Sequence, residues 1–391
     1  MAKRMKRHSL KYLPSALVSL VGVEEHIHWE GHKLKAAHVA SLMDTFVSRY
    51  YMFGKMRSNL HSELMRINYG THYNHYIKYL IAHGVISISS KYLVGEKSNT
   101  YELGRHWAET EDIVALSTMQ PVTHSDKKHK TRNQSPINEH VRDKLSADLK
   151  FISLDPRAIG WLDSMRGEMT HRSLWKNMYS CRKLLEFDLY CSFCRYGRMH
   201  TNVTVIKREI RHGYLLLDGQ HVEEIDISNS QPFFLYLELA KLGFDKWDGF
   251  DHDVLNESIY GRMLAEGNFK SRDLTKVAMY KVLFGRNRTD QANRVFKAMY
   301  PNVWAKIKEL KHRSHKAVSH MLQRAESDFL YNRVVNRIMA ELPEARLLTV
   351  HDSILCTHEY YDRIRFVFED EQYALMAEMT HGAKLNRLLP V

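Results

Sequence analysis

EEIDISNSQPFFLYLELA, residues 223–240, sets one carboxylate, Asp226, between a strand-like apolar run and a helix-like apolar stripe. An acid at the end of a strand is by itself a helix cap or a turn former. Its meaning therefore depends on a second acid in a similar setting, and ARLLTVHDSILC (345–356) provides one. That stretch reads as an apolar strand, a His-Asp-Ser turn and a second apolar strand, a hairpin with Asp352 at its tip. Two carboxylates at adjacent strand ends suit a pair of divalent ions ~3.5–4 Å apart, one activating a hydroxyl and the other stabilising a leaving pyrophosphate. Magnesium takes hard oxygen ligands and few of them from protein, so two acids plus substrate phosphates suffice.

Between these acids, RDLTKVAMYKVLFG (272–285) places Arg272, Lys276, Tyr280 and Phe284 at four-residue steps. One helix face then carries two cations followed by two aromatics. Such a face fits an incoming nucleotide, with cations on the triphosphate and a ring against the base and sugar. The competing reading makes Tyr280 and Phe284 core residues and leaves the two cations as a solvated end.

Composition agrees with a polyanionic partner. The 391 residues hold 57 Lys and Arg against 45 Asp and Glu, a formal charge of +12, which favours nucleic acid. The length predicts two or three domains. Cys181, Cys191, Cys194 and Cys356 are too few for a secreted disulfide framework, so a reducing, cytoplasmic setting is expected. Cys191-Ser-Phe-Cys194 is a lone CxxC without matching zinc ligands. No apolar run reaches the ~18–20 residues that span a bilayer, so no membrane partner is expected. The opening MAKRMKRHSLKYLPSALVSLVGV lacks a small-residue cleavage site and reads as a basic arm running into a first helix.

The polar, proline-containing stretch 118–140 reads as a linker. Before it, HVASLMDTFVSRYYMF (38–53), LHSELMRI (60–67) and THYNHYIKYLIAHGV (71–85) predict three helices, the third following a Gly70 turn with Thr71 as N-cap. VISIS (85–89) and NTYELG (99–104) predict two strands around the basic SKYLVGEKS (90–98). Three helices and a hairpin resemble a winged helix-turn-helix over 1–117. Its third helix would present Thr71, His72, Asn74, His75 and Lys78 to DNA and turn Tyr76, Leu80 and Ile81 inward.

The order of motifs in the second half resembles the family A nucleic-acid polymerases, the bacterial DNA polymerase I group and the phage-type single-subunit RNA polymerases. Asp226-Ile-Ser-Asn-Ser-Gln231 is similar to the first palm motif, and Arg272-x3-Lys276-x3-Tyr280-x3-Phe284-Gly285 to the fingers helix. Val350-His351-Asp352-Ser353 is similar to the second palm motif. Tyr196-Gly197-Arg198 lies upstream like the family's template-primer Gly-Arg, VFKAMYPNVW resembles the segment after the fingers, and QRAESDFL from Gln323 resembles the QGTAAD helix. The resemblance covers about residues 190–390. It implies an α+β right-hand fold: a palm with a small antiparallel sheet and helical fingers over 191–391, a short helical thumb over 141–190, and the winged helix before them. It further implies a template-directed nucleotidyltransferase in which Asp226 and Asp352 hold two Mg2+ ions and Arg272 and Lys276 hold the triphosphate. Tyr280 and Phe284 would form the nucleotide platform, with Gln231 as sugar gate. Arg198, Gln323 and His351 would contact the primer end. DNA template and primer, dNTP or NTP and a processivity or recruitment partner would be its partners.

The departures qualify what the resemblance implies. Gln231 stands where the DNA branch has glutamate and the RNA branch glycine, and its bulk favours DNA synthesis. Phe284 replaces a tyrosine, and His351-Asp352-Ser353 is closer to the RNA branch, so an RNA polymerase or primase-like enzyme is the alternative. The stretch from Lys276 to Gln323 is short, and no proofreading constellation is evident. A catalytically inactive DNA-binding replication protein is the non-enzymatic alternative. DKWDGFDHDV (245–254) lacks the spacing of a calcium loop and reads as a polar connection, while EEHIHWEGH (24–32) lacks the spacing of a zinc protease. RNRTDQANRVFK and KIKELKHRSHK are cationic helical runs that suit phosphates or solvent.

Overall fold

Residues 8–22, 24–90, 99–108, 113–119 and 136–386 are described by the structure, a computed structural model. Residues 1–7, read as a basic arm, most of the basic stretch at 90–98 and most of the 118–140 stretch lie outside the described residues. The architecture is α+β, with many helices and small sheets. The chain divides into two compact units, 1–133 with 151–191 and 201–221, and 134–150 with 192–200 and 222–391. The segment 141–190, expected as a thumb, is thus divided between them.

In the first unit, the apolar spacing of 36–53 produces the helix Ala36–Phe53, which buries Val39, Leu42, Met43, Phe46 and Val47 and ends at Gly54 with φ 65°. Shorter helices Ser62–Tyr69 and Tyr73–Ala82 follow. Strand Thr100–Leu103 pairs antiparallel with both Arg57–Asn59 and Ile86–Ser90. The three helices and the hairpin were legible, and the strand Arg57–Asn59 was not. Thr71 is not the N-cap of the third helix. The chain turns at Gly70, whose carbonyl accepts from Tyr73 N at 3.3 Å, so the N-cap falls on His72. That helix buries Tyr76, Ile77, Tyr79 and Leu80, whereas Ile81 is only half-buried.

The reading of the N-terminus as an arm entering a helix is also corrected. His8–Pro14 is a strand, antiparallel to Ile113–Met119 with Tyr12 opposite Ala115, and the helix after it is only Ser15–Val18. Burial explains this: Tyr12 and Leu13 are both fully enclosed. Tyr12 N donates to Asp44 at 3.3 Å, and the Tyr179 hydroxyl donates to the same carboxylate at 3.0 Å. Tyr179 belongs to the helix His171–Leu185, which is therefore packed into the first unit.

The second unit is built on an antiparallel sheet in which Ser353–Thr357 lies between Leu348–Val350 and residues 222–225 of the strand Gln220–Ile225. Its helices include Ser230–Lys241, Arg272–Phe284, Gln291–Met299, Pro301–Leu310, Ala317–Ser327 and His358–Asn386, the last packed against the Ser353–Thr357 strand. A π-helical segment, Asp328–Val335, continues the 317–327 helix and buries Phe329, Leu330, Tyr331, Val334 and Val335. Polar residues of 245–254 fix the neighbouring helices, as a connection should. Asp248 accepts from Asn302 N at 2.6 Å and Asn302 Nδ2 at 2.7 Å, closing the exposed start of Pro301–Leu310. Asp253, 1% exposed, accepts from the Tyr300 hydroxyl at 2.6 Å and from Ser258 Oγ at 3.0 Å, and pairs with Arg262. Among the described residues no helix is long and apolar enough to cross a membrane.

A buried carboxylate that loses a hydrogen bond keeps its desolvation cost. Tyr300→Phe is therefore expected to lower stability by about 1.5–3 kcal/mol, read in urea as a lower midpoint at unchanged slope.

Candidate functional site

Strand register brings the two aspartates to one end of the sheet. Ile225 stands opposite Ile354, and Val350 opposite Ser353. Asp226 is the first residue past one ladder, and Asp352 is the second of the two residues that turn between the other strands. The first turn residue, His351, has φ 58°, a conformation uncommon for a residue with a side chain. Asp226 and His351 are exposed and Asp352 is half-buried. Burial pushes the Asp352 carboxyl up, the nearby Arg198 guanidinium opposes the shift, and Asp226 adds to it. Burial accounts for most of that shift, and the charge of Asp226 adds a smaller part.

The helix Arg272–Phe284 is capped by Ser271, whose side chain accepts from Leu274 N at 3.2 Å. Its buried side is Thr275, Ala278, Met279, Val282 and Leu283. Arg272, Lys276 and Tyr280 share the exposed side, so Tyr280 is not core. Tyr280 and Phe284 stack with centroids 5.5 Å apart and planes 10° off parallel. The Tyr280 phenol is pushed up by burial first, then by Asp352 and Glu326, while Arg198 opposes. Tyr280 is thus within electrostatic reach of Asp352. The far end of the helix is held by Lys311, which donates to the carbonyls of Val282 and of Gly285, the latter at 2.9 Å. Burial brings that lysine down to about 8, and its charge suits a helix C-terminus.

Arg198 is fixed by a hairpin turn. Gly197 has φ 90°, and a Cβ there would stand 2.7 Å from Ser327 Cβ, so the turn presses onto the 317–327 helix. Met199 N donates to the Tyr331 hydroxyl at 3.3 Å, and that hydroxyl shares a 3.1 Å hydrogen bond with Thr349 of the strand leading to Asp352. Arg198 then meets Glu326 in a two-pronged pair, Nε to Oε1 at 2.9 Å and Nη2 to Oε2 at 2.8 Å. Glu326 is fully buried and also accepts from Gln231 Nε2. Its carboxyl is pushed up to about 7, chiefly by burial and secondarily by Asp352, against Arg198 and Gln231.

Asp226, Asp352, Arg272, Lys276, Tyr280, Arg198 and Gln231 thus fall in one unit around one sheet end. Two members escaped the sequence reading. Glu326 lies in QRAESDFL, where Gln323 drew attention, and a buried acid within a helix has no local signature. Tyr260, 3% exposed, has Lys276 Nζ 5.9 Å from its ring centroid, and its phenol is raised by burial, then Tyr280, with Arg272 opposing. Gln323 is half-buried on its helix. Thr71, Asn74 and Lys78 are exposed in the first unit, where the rings of His32 and His75 lie 3.7 Å apart.

Among the described residues no group of three or more His, Cys, Asp or Glu side chains is disposed to hold a metal ion. The donor set is two carboxylates, which fits a magnesium ion that keeps water and phosphate ligands rather than one caged by protein. All four cysteines are free, Cys181 and Cys356 buried and Cys191 and Cys194 half-buried. No protein-family model matches the chain, and no curated protein matches it.

Glu326 yields a pH test. Its folded state holds a proton more tightly than the unfolded chain, so its contribution to stability is complete below pH 4.5 and is lost as pH rises through about 7. Relative to Glu326→Gln, the native chain is expected to lose on the order of 2–3 kcal/mol between pH 4.5 and 8. Urea midpoints of both proteins across that range measure it; parallel curves would contradict the assignment.

Proposed function

We propose that the second unit is a template-directed nucleotidyltransferase, most simply a compact DNA polymerase, with the N-terminal unit as a nucleic-acid-binding module. The observation that carries this reading is the meeting of Asp226 and Asp352 at one sheet end, with Tyr280 of the Arg272–Lys276–Tyr280 helix face close enough to Asp352 to respond to its charge. Two carboxylates supported by two free-standing cations and an aromatic face suit a nucleoside triphosphate better than any neutral ligand. The net charge of +12 suits its nucleic-acid template.

Asp226 and Asp352 would hold the magnesium ions, which when bound supply charge neutralisation to the attacking hydroxyl and the leaving pyrophosphate. Arg272 and Lys276, four residues apart on an exposed helix face, grip the triphosphate and align it. Tyr280, stacked on Phe284, presents a ring for base and sugar. Arg198, clamped to Glu326, keeps a guanidinium near Asp352 without itself being free to swing. Catalysis of this kind rests on positioning and fixed charge, and all of these groups sit on regular elements or short turns. In the N-terminal unit, Lys78 and Asn74 on an exposed helix face suit contacts to phosphates and base edges.

Purified protein with a primed DNA template, Mg2+ and dNTPs or NTPs in separate reactions tests the proposal. Extension is expected with dNTPs, and Asp226→Asn or Asp352→Asn is expected to reduce it about a thousand-fold. Extension confined to NTPs would favour the RNA-polymerase alternative. Absence of incorporation in every arm despite tight duplex binding would replace the enzyme with a DNA-binding scaffold.

A further inference from the structure

Trp304 stands half-buried on the helix Pro301–Leu310, with Lys297 Nζ 5.1 Å and Lys308 Nζ 5.4 Å from its ring centroid. Lys297 belongs to the preceding helix, Gln291–Met299, and Lys308 lies one turn beyond Trp304. Both lysines are exposed, and among the described residues neither stands in an ion pair. Their neighbour Lys306 is the contrast, since it donates to Glu309 at 2.7 Å. Arg294, one turn before Lys297 and likewise exposed, adds a third cation and reaches the Thr289 carbonyl with one nitrogen at 3.2 Å.

Packing of these helices does not call for the ring. Phe296, Val303 and Ile307, each at most 2% exposed, supply their buried sides, and Trp304 is left at the surface. As a fold contact, an ammonium over an exposed ring is a weak attraction. As a binding surface the same groups do more: the ring takes the flat face of a base, and the cations take the phosphates beside it, an arrangement that holds a single strand without reading its sequence. A lysine on its flexible stem passes readily from the ring to a phosphate, so such a ligand replaces both halves of the existing contact. A duplex keeps its base faces stacked inside and offers phosphates alone, and an acidic protein segment offers carboxylates without a base.

We propose that the Lys297–Trp304–Lys308 surface binds single-stranded nucleic acid, with a base stacked on Trp304 and the flanking phosphates on the two lysines. These helices carry none of the residues assigned to the reaction. The inference therefore goes beyond the nucleotidyltransferase reading, and the binding needs neither Mg2+ nor a nucleoside triphosphate.

Fluorescence anisotropy of a labelled oligothymidylate, titrated with the full chain over a salt series without Mg2+ or nucleotide, tests it. The same strand annealed into a duplex is measured beside it, and unlabelled oligothymidylate and polyglutamate serve as competitors. The proteins compared are the native chain, Trp304→Ala, Trp304→Phe and the Lys297→Gln, Lys308→Gln double variant, each first checked for an intact thermal transition. Trp304→Ala is expected to weaken single-strand binding about ten-fold and to leave duplex binding unchanged, while Trp304→Phe keeps most of the affinity. The double lysine variant is expected to weaken strand binding and to lower the slope of log K against log salt by about 1.4, for two phosphate contacts at ~0.7 each. Equal strand affinity in the native chain and Trp304→Ala would overturn the proposal and leave Trp304 a surface contact between two helices. Equal losses on strand and duplex would overturn it too, because charge alone would then explain the surface. Displacement of the strand by polyglutamate as readily as by oligothymidylate would assign the surface to an acidic protein segment instead. Should Trp304→Ala fail to fold, an unchanged affinity and salt slope in the double lysine variant overturns it by itself. Primer extension is read separately: extension by a chain whose strand binding ignores Trp304 refutes this inference alone, whereas Trp304-dependent binding without extension refutes only the polymerase reading.

Discussion

Two aspartates distant in sequence meet because Gln220–Ile225 runs antiparallel to Ser353–Thr357 with Ile225 opposite Ile354. A shift of one residue would turn every side chain of the strand to the other face and carry Asp226 away from the turn that holds Asp352. The register is enforced by burial. Val222 and Ile225 are buried on one strand, and all five residues of Ser353–Thr357 are buried on the other. Hydrophobic patterning thus sets the position of the two aspartates.

Around this sheet end the charges are arranged in two kinds of environment. Arg272 and Lys276 are exposed and, among the described residues, stand in no ion pair. Arg198 and Glu326 are the opposite case, a two-pronged pair with the carboxylate fully buried. Such a pair costs desolvation on both sides and adds little net stability, and its worth lies in holding a defined geometry. Removal of one partner is the damaging event, since the other charge stays buried. Arg198 and Gln231 both depend on Glu326 for their position, which links the hairpin at 191–201 to the helix that follows Asp226.

The sequence was most informative where period and spacing act locally. The hairpin around Asp352, the strand before Asp226 and the helix 272–284 all follow from apolar runs and from i, i+4 repetition. The same reasoning resolved the aromatics of that helix poorly, because Tyr280 and Phe284 fit a core as well as a surface, and burial at Thr275, Met279 and Leu283 decided the matter. Glu326 and Tyr260 were illegible for a different reason. Their roles come from tertiary contacts with residues far along the chain, and neither has a local pattern that marks it. The N-terminal strand His8–Pro14 was missed because its partner, Ile113–Met119, lies about a hundred residues away, and strand pairing over that distance leaves no trace in periodicity.

If Asp226 and Asp352 form one shared cation site that a nucleotide completes, a divalent ion binds there only when both carboxylates are present. Manganese is a spectroscopic substitute for magnesium, and its free ion gives a strong paramagnetic resonance signal. A titration of Mn2+ with a non-hydrolysable deoxynucleoside triphosphate present measures the claim without requiring turnover. The native protein is expected to remove the free-ion signal, and Asp226→Asn and Asp352→Asn are each expected to weaken binding by at least about ten-fold. Equal Mn2+ binding by all three proteins would contradict a shared site, and the two aspartates would then be turn residues that happen to meet at the end of a sheet.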